Sequence, residues 1–379
     1  MKNYLKYRVL FLLASLWFVA PLQVQAQELE IPYENNIDYD GVQASIDEIM
    51  GQEEFDFKDY VYETMKSGEG FSITKIFTII VDGVKGQLVS DRSLIFRFVG
   101  ITILGAVFTN FSKVFRNNHV SEMGFYVTYL IVFTLACVSF YSITQVAVGT
   151  LENILEFMRS LIPAYYMAIM FSSGVTTSSL FYQGTLILIH VVELLIMNGI
   201  VPLIRIYFIL SLVSNLTEED MLSKALELFE NIIKWTLKSL LGLITGYNVI
   251  QGLVVPVTDN LKNRVTVRVV NALPGVGTLL GSAAETILGA GIVLKNAIGA
   301  AGICALIIIL SIPIIRIAFH VFIYKFAAAL VQPISDKRMV ECLSGCSKAA
   351  SLLLYATFVT GILFLLTILV VMATTNGRV

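Results

Sequence analysis

The chain of 379 residues is poor in the residues that usually build a chemical site. It has three histidines, His119, His190 and His320, and four cysteines, Cys137, Cys304, Cys342 and Cys346. Cys342 and Cys346 share a helical face, but no histidine is near them in sequence, so no zinc site is expected. No cysteine falls in the N-terminal region before residue 93, which excludes a disulfide framework there. The patterns GxxxxGK[ST], GxSxG and HExxH are missing, so the chain is expected to be neither an enzyme nor an ATP-driven pump by itself, and to hold no cofactor or metal. Charge is scarce as well. Only 14% of residues are Asp, Glu, Lys or Arg, and the mean hydropathy is +0.78, which excludes an ordinary soluble domain. The formal charge of −2 says little, because the charges are segregated; no nucleic-acid partner is expected.

What is present is apolar sequence in long runs. The composition predicts an all-α polytopic membrane protein. Residues 1–26 read as a signal peptide: Lys2, Lys6 and Arg8 precede an apolar run, Pro21 ends it, and Val24-Gln25-Ala26 offers a small-x-small cleavage site. An uncleaved first anchor is the alternative, and either way the next segment lies outside the cytoplasm. Residues 27–92 form that exported segment. Positions 28–69 hold thirteen acidic residues against Lys58 and Lys66. Val42, Ile46, Ile49 and Met50, then Phe57, Tyr60, Val61 and Met65, recur at spacings that suit short amphipathic helices on a surface or a partner.

Residues 93–160 are read as two spans, 93–111 and 125–148, with a short amphipathic link at 151–160. Lys113 and Arg116 put the intervening turn in the cytoplasm. The remainder carries an internal repeat at an offset of 111 residues, in which Ile162-Pro163 lies over Leu273-Pro274 and the box around Pro202 and Arg205 lies over that around Pro313 and Arg316. Repeat 1 would be 161–271 and repeat 2 would be 272–379. Each would open with a proline-led apolar hairpin (163–198 and 274–310), continue through a span with the Pro-x-Ile-Arg-Ile box, pass a charged amphipathic segment and end in a long span. An even number of crossings makes the repeats parallel. The basic stretch at 259–269 fits this scheme poorly, because the scheme puts it outside.

Residues 273–302 are the most distinctive. They are apolar, yet contain seven glycines, Glu285 and Lys295. Read as a helix, Gly277, Gly281, Glu285 and Gly289 share one face, and Lys295, Gly299 and Gly302 form a second stripe. Small residues let helices approach closely in lipid, and a buried carboxylate there needs a partner or water. The stretch is therefore either a tightly packed interface or a broken segment lining a pathway. Other intramembrane candidates are Arg205 and Arg316, which can bond carbonyls freed by the prolines or snorkel to headgroups. His190 and Glu193 share a face and can form a proton relay or a local hydrogen-bonded pair.

The order of these features resembles the stage III sporulation protein AE family of endospore-forming bacteria. The resemblance spans essentially the whole chain, and LPGVGTLLGSAAETILGAGIVLKNAIGAAG is its most specific part. It implies a channel or export-platform subunit of an assembly joining mother cell and forespore, in the outer forespore membrane, with the N-terminal segment in the intermembrane space. The implied partners are other stage III sporulation A-operon proteins, among them ring-forming subunits and a secretion-type ATPase, and stage II sporulation protein Q. It supplies no catalytic residues. An ion-coupled transporter using Glu285, Glu193 and His190, or a non-conducting membrane scaffold, are the alternatives; a homo-oligomer is compatible with all three.

Overall fold

The computed structural model describes residues 37–50, 55–67, 118–216, 222–271 and 277–374, with single residues and short pieces between 81 and 107. Two short helices, α1 (Tyr39–Met50) and α2 (Phe57–Ser67), precede α3 (Asn118–Ser173) and α4 (Val175–Val192). A π-helical segment (Glu193–Ile200) leads into α5 (Val201–Ser214), and α6 (Ser223–Asn271), α7 (Gly277–Val331) and α8 (Lys337–Thr374) complete the chain. The fold is therefore all-α, as expected. Among the described residues, four stretches are long and apolar enough to cross a membrane: Met123–Ser173, Val175–Ser214, Leu288–Val331 and Lys337–Ala373. This is a multi-pass membrane protein.

Among the described residues the helices are longer than the sequence suggests. α3 has 56 residues and α7 has 55. At 1.5 Å per residue each is about 80 Å long, against a hydrocarbon core of about 30 Å. The expected link at 151–160 is not a break. Its charged residues Glu152, Glu156 and Arg159 are exposed positions on the unbroken α3, and Leu151, Ile154, Leu155 and Met158 are buried. Pro163 sits inside α3 and Pro313 inside α7. The first expected hairpin does form, but at Gly174 rather than at a proline. Gly174 has φ 106°, a backbone state that L side chains rarely adopt, and it is the one positive-φ residue among those described. The second expected hairpin, 274–310, is replaced by continuous helix from Gly277 onward. Glu285, which aligns with Gly174, has a side chain on Cβ and no comparable freedom to turn. The two halves thus differ at the point where the repeat places its hairpin turns. Likewise, the charged segment at 335–348 is the first part of α8, and 259–269 is helical backbone in α6.

Pro202 has a different setting from Pro313. It lies at the start of α5, directly after the π segment. Proline lacks the N–H that an α-helix would aim at residue i−4. The wider π turn shifts the pairing, and Val201 N–H reaches the Ile196 carbonyl. The signal peptide, Pro274 and most of 93–111 lie outside the described residues.

α7 runs between α3 and α8, and α6 lies against α4, α5 and α8. The contacts are close because small residues alternate with branched ones along the seam. Ala297, Ile298, Ala301, Ala305 and Leu306 of α7 are all buried, as are Ala168 of α3 and Ala356 of α8.

The amphipathic N-terminal segment packs on this same chain. Asp38 Oδ1 caps α1 by accepting from Gly41 N–H at 2.8 Å, and Asp56 Oδ1 caps α2 by accepting from Asp59 N–H at 2.9 Å. Gln43 ties the two together, accepting from Phe57 N–H at 2.7 Å. Val42, Ile46, Phe57 and Val61 are fully buried against the bundle. The Ser45 hydroxyl meets that of Ser160 on α3, and Cys304 Sγ on α7 donates to Tyr60 Oη at 3.2 Å. Burial, with the Cys304 thiol beside it, pushes the Tyr60 phenol up. In a variant with the native cysteines replaced, Ser45→Cys with Ser160→Cys is expected to form a disulfide under mild oxidation. The crosslinked and reduced chains would separate on a non-reducing gel; no crosslink at any oxidant level would sink the docking.

Candidate functional site: the glycine-lined interface of α7

The two small-residue stripes of α7 have opposite fates. The stripe containing Lys295 is buried inside the chain. A Cβ at Gly291 would lie 2.7 Å from the Phe171 carbonyl carbon and 2.8 Å from Ser172 N, so the backbones of α7 and α3 are in contact there. A Cβ at Gly299 would meet Met372 Sδ at 2.6 Å and Tyr165 Oη at 2.9 Å, and one at Gly302 would meet Leu161 Cδ2 at 2.8 Å. This stripe is where α3, α7 and α8 converge. The other stripe turns outward at Gly289, which is exposed and has nothing within 4 Å of an added Cβ. Thr286 and Leu288 beside it are exposed too. Gly277, Gly281 and Glu285 continue that stripe on the helical backbone; the Glu285 side chain is outside the described residues.

Lys295 lies between Gly291 and Gly299, one turn from each, and is 0% exposed. Its Nζ donates to the Met372 carbonyl at 3.4 Å. Met372 is in the last turn of α8, where carbonyls have no helical N–H to pair with and the helix dipole is negative. The buried ammonium is thus placed at the terminus that best offsets its lost hydration. The arrangement makes Lys295 a cap for α8 supplied by α7. Around it, Tyr165 Oη and Asn296 Oδ1 are buried without a hydrogen-bond partner among the described residues. The Tyr165 ring packs edge-on against Phe181 at 5.4 Å. Chemically, this is a polar joint in a dry interface rather than a catalytic constellation.

The remaining candidates do not converge. Glu193 pairs with Arg159 of α3, Nη2 to Oε2 at 2.9 Å, and both side chains are about half exposed. His190 is exposed. Arg205 is exposed on α5, whereas Arg316 is half-buried and its carbonyl bonds the buried His320 Nδ1 at 2.9 Å. The duplicated arginines therefore sit in unlike environments. Pro163 is exposed and Pro202 and Pro313 are half-buried.

Sequence reasoning missed the Arg159–Glu193 pair, because α3 and the π segment meet only once the chain turns at Gly174. It also missed Tyr129, whose hydroxyl donates to the Leu212 carbonyl at 2.5 Å in a buried corner with Cys342 and Cys346. The signal available was the helical phase of Phe125, Tyr129 and Val132, a buried stripe on α3.

The family profile described as Stage III sporulation protein AE matches residues 55–375. The chain is similar to stage III sporulation protein AE of Bacillus subtilis (strain 168), with 27% identity over 320 residues, covering 84% of this chain and 80% of that relative. No solved structure matches the chain. The match runs from the docked α2 through the glycine-lined α7 to the last turn of α8, and the chain belongs to the stage III sporulation protein AE family of sporulation membrane proteins.

Proposed function

We propose that the chain is the channel or export-platform subunit of a secretion-like assembly that connects mother cell and forespore and is needed for forespore development. In this reading it lies in the outer forespore membrane, with α1 and α2 in the intermembrane space. Ring-forming subunits and stage II sporulation protein Q are its partners on that side, and a secretion-type ATPase on the cytoplasmic side. The observation that carries the reading is the length of α3 and α7. Helices about 80 Å long are more than twice what a bilayer needs, so the bundle projects well beyond the membrane and offers a built platform there. The docked α1 and α2 support the same reading, since their charged outer faces suit water. The transporter alternative gains nothing from His190 and Glu193, one exposed and the other paired with Arg159.

A photo-crosslinking residue at Tyr62, which is exposed on α2, tests the placement in sporulating cells. Capture of a ring-forming subunit is the expected result, together with stalled forespores on depletion of the chain. Capture of lipid alone, with normal forespore maturation on depletion, would refute it.

A further inference from the structure

Cross-helix contacts fix a common level in the bundle. Phe208 of α5 stacks on Phe140 of α3 with ring centres 3.8 Å apart. Tyr324 Oη of α7 donates to Ser139 Oγ of α3 at 2.7 Å, and Gly345 of α8 faces Ser211 of α5. Glu230 of α6 lies beside Tyr207 of α5. All five helices therefore pass through one slab of the molecule.

Around that slab the outward surface is not uniform. On α3 between 127 and 141 the exposed residues are Val127, Leu130, Ile131, Thr134, Val138 and Tyr141, an apolar strip in which the Thr134 hydroxyl donates to the Leu130 carbonyl. The expected first span packs on the same side, since a Cβ at Gly105 would meet Thr128 at 2.7 Å. On α6 the exposed residues include Lys224, Glu227, Asn231, Lys234 and Lys238, and Lys348 is exposed on neighbouring α8. Lys224 pairs with Glu227 at 3.2 Å and Lys234 with Glu230. Two intrahelical pairs leave Lys238 and Lys348 in excess, so the strip is basic.

The polar residues are also grouped around α6. Asn248 donates to Thr367 of α8 at 2.9 Å, and Tyr247 faces Gly184 of α4, which marks the two edges of the helix. At about 100° per residue, Glu227, Asn231, Lys234 and Lys238 fall toward α8, and Leu228, Ile232 and Trp235 fall toward the other edge. A charged strip level with an apolar one on another helix of the same bundle cannot also face hydrocarbon without a large cost.

We propose that the strip from Lys224 to Lys238 of α6, with Lys348 of α8, is the water-facing wall of a conduit at membrane depth. Its excess of lysine favours anionic solutes. The inference rests on the channel reading above and names the surface that would carry it.

The test uses the full chain with its native cysteines replaced and single cysteines introduced by Asn231→Cys, Lys238→Cys, Ile131→Cys or Val138→Cys. A membrane-impermeant maleimide is applied to cells and to inverted vesicles. Asn231→Cys and Lys238→Cys are expected to react roughly tenfold faster or more than the two α3 variants, because only a hydrated thiol ionises readily. Equal protection of all four positions overturns the inference. Equal labelling of all four from the cytoplasmic side also overturns it, since the whole slab would then lie outside the membrane. The α3 variants and membrane abundance report whether each variant is inserted. If the α6 positions label selectively but a bulky maleimide there leaves solute passage intact, the wall stands and the channel reading fails. In the conducting chain, Lys238→Glu with Lys348→Glu is expected to invert anion preference; an unchanged preference removes the charge part of the proposal.

Discussion

Lys295→Glu is expected to prevent stable accumulation of the chain, and Lys295→Ala to destabilise it by about 3 kcal/mol. The glutamate would set a carboxylate against the Met372 carbonyl in a site with no exposure, at the negative end of α8. An uncompensated buried charge costs several kcal/mol, enough to exceed the margin of most folds. The alanine removes the apolar stem as well as the ammonium, leaving a cavity between α7 and α8. Lys295→Met separates the two contributions. It keeps most of the stem and loses only the donor, so a loss of about 1 kcal/mol is expected, partly offset because no charge is then buried. Thermal unfolding of the detergent-purified chain measures all three. Near-equal losses for methionine and alanine would show that the polar bond, not packing, dominates.

Gly291→Ala is expected to disrupt the α3–α7 contact, whereas Gly289→Ala, two residues away, is not. At Gly291 the new methyl would meet backbone atoms of Phe171 and Ser172 at 2.7 to 2.9 Å, and backbone cannot rotate aside. Overpacking of this kind costs about 1–3 kcal/mol, with the larger values where rigid elements must separate. At Gly289 there is open space, and alanine gains up to about 1 kcal/mol of helix propensity. The pair is measured by unfolding midpoints under one set of conditions. A destabilised Gly289→Ala would mean that the outward stripe is covered in the purified protein. A neutral Gly291→Ala would mean that α3 and α7 are free to separate.

Much of the architecture was legible from composition, and its segmentation was not. The apolar content predicts helices in a membrane, and the glycine stripes of 273–302 pick out α7 as a close-packing element. The helix ends were misplaced because polar residues were read as breaks. Glu152, Glu156 and Arg159 lower the local hydropathy, but they project from an intact helix whose other side is buried. Pro163 reads as a hairpin opening and Pro313 as part of a separate span, yet one proline costs a helix one hydrogen bond and leaves the rest of the ladder in place, and both lie inside unbroken helices. The turn depends instead on Gly174, which no alternation or charge pattern singled out. Lys295 stands out in the sequence as a charge in the glycine-rich stretch, and Glu193 as a companion of His190. Their partners, a helix terminus at Met372 and Arg159, come from other helices, and a single sequence carries no record of which helices meet.

The length of α3 and α7 has a mechanical consequence. A stiff rod held at one end acts as a lever. A tilt of about five degrees moves the far end of an ~80 Å helix sideways by about 7 Å, more than the pitch of one helical turn. The capped joint at Lys295 and the bare backbone contact at Gly291 lie near the Gly174 turn, where α3 ends and α8 has its last turn. They lock the tips of α3 and α8 to the body of α7, so the three rods swing together and a small rotation at one end is delivered to the other as a single stroke.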